Sequence, residues 1–219
     1  MLFVFSLAYF LFSYVVTFGI VVSDGPSAGP VAWNVVLFTA FAMHHSVCAR
    51  EPVREWIART LPPQLERSFY VWVASVLFIA TCAFWQPVPG VAWTVDGAAL
   101  WALRILQAIG VWLSIQSAAM IGVLDLAGVR QAEQRPARAM DFTTGGPYGY
   151  VRHPIYSGWL LIVLAASPMT MTRLVFALVS CAYLVAAIPF EERSLREASS
   201  GGYQRYMAQV RWKVIPGLY

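Results

Sequence analysis

Arg152 and His153, in the run Arg152-His153-Pro154, and Glu191 and Glu192 are charged or titratable side chains set against long stretches of hydrocarbon. Their settings suggest a common ligand. Upstream of the first pair, Gly145-Gly146-Pro147 predicts a tight turn and Gly149 a further unusual backbone angle. Pro154 bars helix at His153 and suits the first turn of a helix that begins there. His153 is therefore expected at a helix entrance, where free backbone N–H groups and the positive end of the helix dipole favour a carboxylate, and Arg152 adds charge to the same place. Glu191 and Glu192 follow directly on an apolar run expected to end near Phe190. An anionic pair there is costly unless a cation or hydrogen-bond donor meets it, and acid at a helix C-terminus opposes the dipole. The structural alternative is that Arg152 marks a membrane boundary, Tyr148 and Tyr156 form an interfacial aromatic belt, and Glu192 pairs with Arg196 at i,i+4.

The elements that must hold these residues are membrane spans. Of 219 residues 59% are hydrophobic and 12% charged, which excludes an ordinary soluble domain. Four runs, 2–22, 31–48, 68–85 and 98–122, have the length of spans at about 20 residues each. Two more, 155–167 and 171–190, flank the break Pro168-Met169-Thr170 and read as a hairpin. Its first limb, at about 1.5 Å per residue, reaches only about 20 Å of a core about 30 Å thick. The expected fold is all-α: a polytopic bundle of about six hydrophobic helices, one membrane domain over 1–219, with four helices in 1–122 and a polar loop, hairpin and cytoplasmic tail in 123–219.

Charge placement sets the orientation. The segments 49–67 (Arg50, Arg54, Arg59, Arg67), 123–154 (Arg130, Arg135, Arg138, Arg152) and the tail from Arg193 to Lys213 hold 13 of the 15 Lys and Arg residues, while 23–30 and 86–97 hold none. By the positive-inside rule both termini and both basic loops are cytoplasmic. The pI near 9.1 reflects that topology and contact with anionic membrane lipids rather than nucleic-acid binding. Cys48, Cys82 and Cys181 show no CxxC spacing, so neither disulfides nor a zinc site is expected. The first run lacks a basic leader region and is read as a retained helix that doubles as the insertion signal.

Taken together, "GPYGYVRHPIYSG", then "EERSL" about 30 residues later, then "YQRYMAQV…IP" resemble the isoprenylcysteine carboxyl methyltransferase superfamily of integral membrane methyltransferases. "MHHSVCAREPVREW", "LERSFYVWVASVLF" and "LDLAGVRQ" look like its methanethiol S-methyltransferase and NnrU-type branch. The resemblance implies a bacterial inner-membrane enzyme that uses S-adenosylmethionine. Its cofactor motif falls on Gly146, Pro147, Tyr148, Arg152, His153, Pro154, Tyr156, Glu191 and Glu192. Gly201-Gly202 stands where the family commonly has an acidic residue, and no substrate residue is carried over from the tail. Carboxylates suit the cofactor's ribose hydroxyls, and aromatic faces suit its sulfonium.

A methyl transfer of this kind needs orientation and a dry site rather than a covalent enzyme nucleophile. A thiol acceptor must reach its thiolate, whose free pKa is near 8.5, helped by a nearby cation or base. The candidate catalytic residues are Arg152, Glu192 and His45, with His44 as its neighbour. The expected acceptor is a small thiol such as methanethiol. Methyl esterification of a prenylated cysteine and methylation of a lipid or amine are the alternatives. A haem or assembly protein is the rival from another class, although two adjacent histidines and one pinned before Pro154 make a cross-helix axial pair hard to build. Ser114, Gln116 and Ser117 form the nearest thing to a polar cluster inside a span and are expected to hydrogen-bond between helices. Oligomeric state leaves no sequence signal.

Overall fold

The computed structural model describes residues 2–48, 65–123 and 145–219, with positions 53, 57, 59, 61 and 62 between the first two. Arg50, Arg54, Arg130, Arg135, Arg138 and the segment 124–131 lie outside the described residues. In chain order the elements are α1 (Leu2–Val15), a 3-10 turn (Thr17–Gly19), α2 (Ala28–Val47), α3 (Glu66–Ala83), β1 (Val91–Trp93), α4 (Gly97–Ile121), a second 3-10 turn (Gly146–Gly149), α5 (Pro154–Leu164), β2 (Met169–Thr170), α6 (Met171–Ala198) and α7 (Gly202–Gln209).

Among the described residues four stretches are long and apolar enough to cross a bilayer, Leu2–Gly19, Glu66–Ala83, Gly97–Ile121 and Met171–Ala198; the expected span 31–48 forms the helix α2 but is not one of them. Their outer faces expose Phe5, Phe12, Trp101, Ile105, Trp112 and Ile115, an apolar surface that lipid solvates and water does not. The protein is integral to the membrane. Phe176 of α6, fully buried, gathers the core: the rings of Phe10, Tyr14, Phe18, Phe38 and Trp85 lie 5.1 to 5.7 Å from its own. Each such pair contributes roughly 0.5–1.5 kcal/mol beyond its buried area.

The hairpin limb α5, 11 residues, is about 16 Å long and runs against α4. Gly110 and Gly158 make that contact close. A Cβ on Gly110 would lie 2.6 Å from the Gly158 carbonyl, and one on Gly158 would strike the Ser114 hydroxyl. Ser114 and Ser117 donate to the Gly110 and Leu113 carbonyls of their own helix, so the expected interhelical bonding at this cluster is corrected to i−4 bonding within α4. The crossing bond comes instead from Gln107, whose amide donates to the Ile162 carbonyl.

Three expectations change. The fold is mainly helical but not all-α: β1 and β2 pair antiparallel, Val91 opposite Thr170, so the far loop is stitched to the hairpin break. The tail adds the short helix α7, folded against the polar end. Lastly, α6 does not stop at Phe190. It continues through Pro189 to Ala198, 28 residues or about 42 Å, with Thr170 accepting from the Arg173 N–H as its N-cap. Glu191 and Glu192 thus stand within a helix, and the argument from an unfavourable C-terminal dipole lapses.

At the far end Arg173 is buried with no carboxylate partner among the described residues. It donates to the carbonyls of Tyr14, Val15 and Pro168, closing the open C-terminal groups of α1. A Cβ at Gly19 would run into its guanidinium, so the glycine makes room for it.

Candidate functional site

The second 3-10 turn and Pro154 deliver Arg152 and His153 to the side of α6. Of the turn's glycines Gly146 takes positive φ, +54°, whereas Gly145 is at −79° and Gly149 has no positive φ. A side chain at Gly146 would also crowd Met120, at 3.0 Å. Pro147 begins the turn and Tyr148 reaches back to the Ser117 carbonyl. Burial holds the Tyr148 phenol well above its usual pKa.

Arg152 is buried and engaged through Nε and Nη1. Its Nε donates to Glu192 Oε1 at 2.7 Å, and Nη1 donates to the Val210 and Arg211 carbonyls at 3.0 and 2.7 Å. The same Glu192 oxygen lies 3.3 Å from His153 Nε2 and accepts from the Tyr203 hydroxyl at 3.4 Å. A buried ion pair of this kind is made tolerable by added hydrogen bonds, here from Tyr203 to Glu192 and from Arg152 to two tail carbonyls. Glu191, one residue earlier, differs. Its side chain is 44% exposed, it accepts from Tyr156 at 2.6 Å, and it lies 3.6 Å from His153 Nδ1. His153 is thus an imidazole between two carboxylates, stacked on Tyr156 at 5.3 Å.

Two backbone N–H groups just before the helix entrance are taken by the tail. Arg152 N–H donates to Trp212 and His153 N–H to Lys213, so the tail forms a strap across residues 152–153. Ser157 Oγ adds a bond to Val214, and Tyr206 donates to the Tyr148 carbonyl at 2.8 Å. Burial pushes the Tyr206 phenol up to about 12, so it stays a donor through neutral pH. Glu192 sets one of the protein's own carboxylates beside this entrance.

His45 stands apart from this cluster. It lines an apolar cavity of about 450 Å³ between α1, α2, α3, α5 and α6. Its Nδ1 lies 2.8 Å from the Tyr70 hydroxyl, which also donates to the His45 carbonyl at 3.1 Å. His44 also stacks on Tyr70, at 5.9 Å, with Nδ1 3.4 Å from Cys48 Sγ and a buried Nε2 without a partner among the described residues. Tyr183 closes the gap between cavity and cluster. It lines the cavity two turns before Glu191 on α6, bonds Ser46 at 3.1 Å, and lies with Tyr70 within electrostatic range of Tyr156. Sequence reasoning passed over Tyr70, Tyr183, Tyr203 and Tyr206. Only Tyr183 had a signal, its eight-residue spacing from Glu191 along one helix.

The protein is thus a membrane-embedded helical bundle with carboxylates, an imidazole and tyrosines gathered at one end. The family model for "Phospholipid methyltransferase" matches residues 99–199. The chain is 34% identical over 215 residues to Methanethiol S-methyltransferase 2 of Bradyrhizobium diazoefficiens, covering 96% of this chain and 83% of that one. It is 36% identical to Methanethiol S-methyltransferase of Mycobacterium tuberculosis, covering 84% and 78%, and 36% identical to that of Pseudomonas deceptionensis, covering 86% and 75%. The chain belongs to this family of integral membrane methyltransferases, related to the phospholipid and isoprenylcysteine methyltransferases, and is an enzyme that transfers methyl groups. No solved structure matches it.

Proposed function

We propose that the enzyme methylates a small thiol with S-adenosylmethionine as donor, at the cytoplasmic end of a bundle in the bacterial inner membrane. The observation that carries this reading is that α6 joins the Glu191–Tyr156–His153 group to the apolar cavity, Tyr183 lining the cavity two turns before Glu191. The printed names of the relatives agree with it.

The donor set suits the cofactor. Glu191 presents a half-exposed carboxylate that can accept ribose hydroxyls, and the Tyr148 and Tyr156 faces suit a cation. Gly146, Pro147 and Pro154 shape the backbone around them. When bound, S-adenosylmethionine supplies an electrophilic methyl group on a sulfonium. Arg152 and Glu192, both buried and spent on each other, on His153 and on the tail, act as the frame that holds His153 and Tyr156 in place. The apolar rings of the cavity wall, Phe38, Phe78 and Trp159, suit a step in which opposite charges are consumed.

His45 serves the thiol. In the tautomer with its proton on Nδ1, His45 donates to the Tyr70 oxygen while Tyr70 donates to the His45 carbonyl. Nε2 of His45 is then the unprotonated nitrogen, able to take the S–H proton. Labelled donor offered with methanethiol, prenylcysteine, amine and phospholipid acceptors tests the proposal, with volatile methyl sulfide the expected product. Methyl transfer to the other acceptors and none to any thiol refutes it.

A further inference from the structure

The His45 cavity is far larger than methanethiol, which has two non-hydrogen atoms. At about 450 Å³ it falls within the range of roughly 300–1,000 Å³ typical of sites that enclose drug-sized molecules. Its chemistry is divided along its depth. His45, Tyr70, Tyr183 and Arg67 supply polar groups at the end nearest the carboxylates, and Phe38, Phe78 and Trp159 supply rings at the other. The hydroxyls deeper in the wall are committed to the protein. Ser75 donates to Val71, Ser6 to Phe3, and Ser180 donates to Ala177 while accepting from the Trp159 indole. The deep part therefore asks for no polar atom and holds water poorly.

An occupant that matches this division is polar at one end and hydrocarbon for the rest. From His45 to Phe38 is seven residues of α2, a depth on the order of 10 Å. Resting on the thiol reading above, we propose that the acceptor is an apolar thiol with a body of about eight bonded atoms at most, on an extended-chain reach of ~1.2 Å per bond, its sulfur at His45 and its body among Phe38, Phe78 and Trp159. Methanethiol is then the smallest member of the class and leaves most of the cavity unfilled.

The test is a series of straight-chain thiols from methanethiol upward, offered with labelled donor to the purified enzyme. Each buried methylene raises kcat/KM roughly fourfold until the cavity is filled, after which the value falls. Partition of long thiols into detergent or lipid also raises apparent affinity but produces no break set by the protein. Ala74→Phe, which puts a ring into the cavity wall, moves the break to thiols shorter by several carbons, and Ala74→Leu moves it less. Calorimetry with the matching methyl thioethers gives the same order of affinities without turnover and keeps the test open if a variant folds poorly. Methanethiol turnover with a flat or falling chain-length series overturns the inference and leaves thiol methylation standing. A break that neither substitution moves also overturns it. Methylation of no thiol at all overturns the function proposed above, and this inference with it.

Discussion

At the scale of single residues, Glu191 and Glu192 are neighbours with opposite circumstances. Glu192 is the buried counter-charge of Arg152, so Glu192→Gln leaves a guanidinium without its charge partner and lowers stability by about 3 kcal/mol. Thermal unfolding in detergent measures it. Glu191→Gln leaves stability within about 0.5 kcal/mol of the parent, because the carboxylate is half exposed. Calorimetry on that variant reads weaker S-adenosylmethionine binding by about 1–3 kcal/mol, the loss of a hydrogen bond to an ionised acceptor. Unchanged cofactor affinity would return Glu191 to a boundary role. For His45→Ala, turnover at pH 7 drops on the order of 100-fold, the contribution of a positioned base. The residual rate then climbs about tenfold per pH unit towards the free thiol pKa near 8.5, since the thiolate must form unaided. The parent enzyme levels off at lower pH, and coincident profiles would exclude His45 as the base.

At the scale of elements, the crossing of α4 and α5 positions the site, because α5 begins at His153 and carries Tyr156. Two glycines bring these helices together, as small residues do where lipid offers no hydrophobic drive to pack. Gly158→Val puts atoms where the Ser114 hydroxyl and the Gly110 carbonyl already lie. The expected loss is about 1–3 kcal/mol from overpacking, read as a lower unfolding temperature, with activity falling further than stability because Tyr156 shifts against Glu191. Stability equal to the parent would mean that the helices separate freely. The length of α6 was only partly legible. Its apolar run does end near Phe190, but Arg193 to Ala198 continue the helix on the charge pair Arg193–Glu197 and on contacts with α7. Hydropathy locates where a helix leaves lipid, and the helix itself ends at Ser199, short of the left-handed residues Ser200 and Gly201.

At the scale of the whole molecule, the proposed orientation puts the Arg152–Glu192 cluster in the cytoplasm and the β1–β2 stitch outside. With the native cysteines replaced, Asp24→Cys and Thr94→Cys, both at exposed positions, react with an impermeant thiol reagent added outside intact cells. Reaction only after the cytoplasmic face is opened would invert the topology. The two basic residues that depart from the positive-inside pattern have local reasons. Arg104 donates to Gln107 and to the Ser167 carbonyl, and Arg173 closes the end of α1.

The sequence by itself determined the membrane setting, the places of the main spans, the turn before His153 and the family, because each depends on local hydropathy, on glycine and proline stereochemistry, or on the order of a few motif residues. Only the tertiary structure decided which polar groups meet. Adjacent residues on a helix point about 100° apart, so the rotation of α6 against its neighbours made Glu192 a buried partner of Arg152 and left Glu191 facing outward. The strap of the tail over the Arg152 and His153 N–H groups joins residues about sixty positions apart, with no local trace in either segment. The cavity at His45 is likewise a space between five helices, and a space has no residues of its own to be read from the chain.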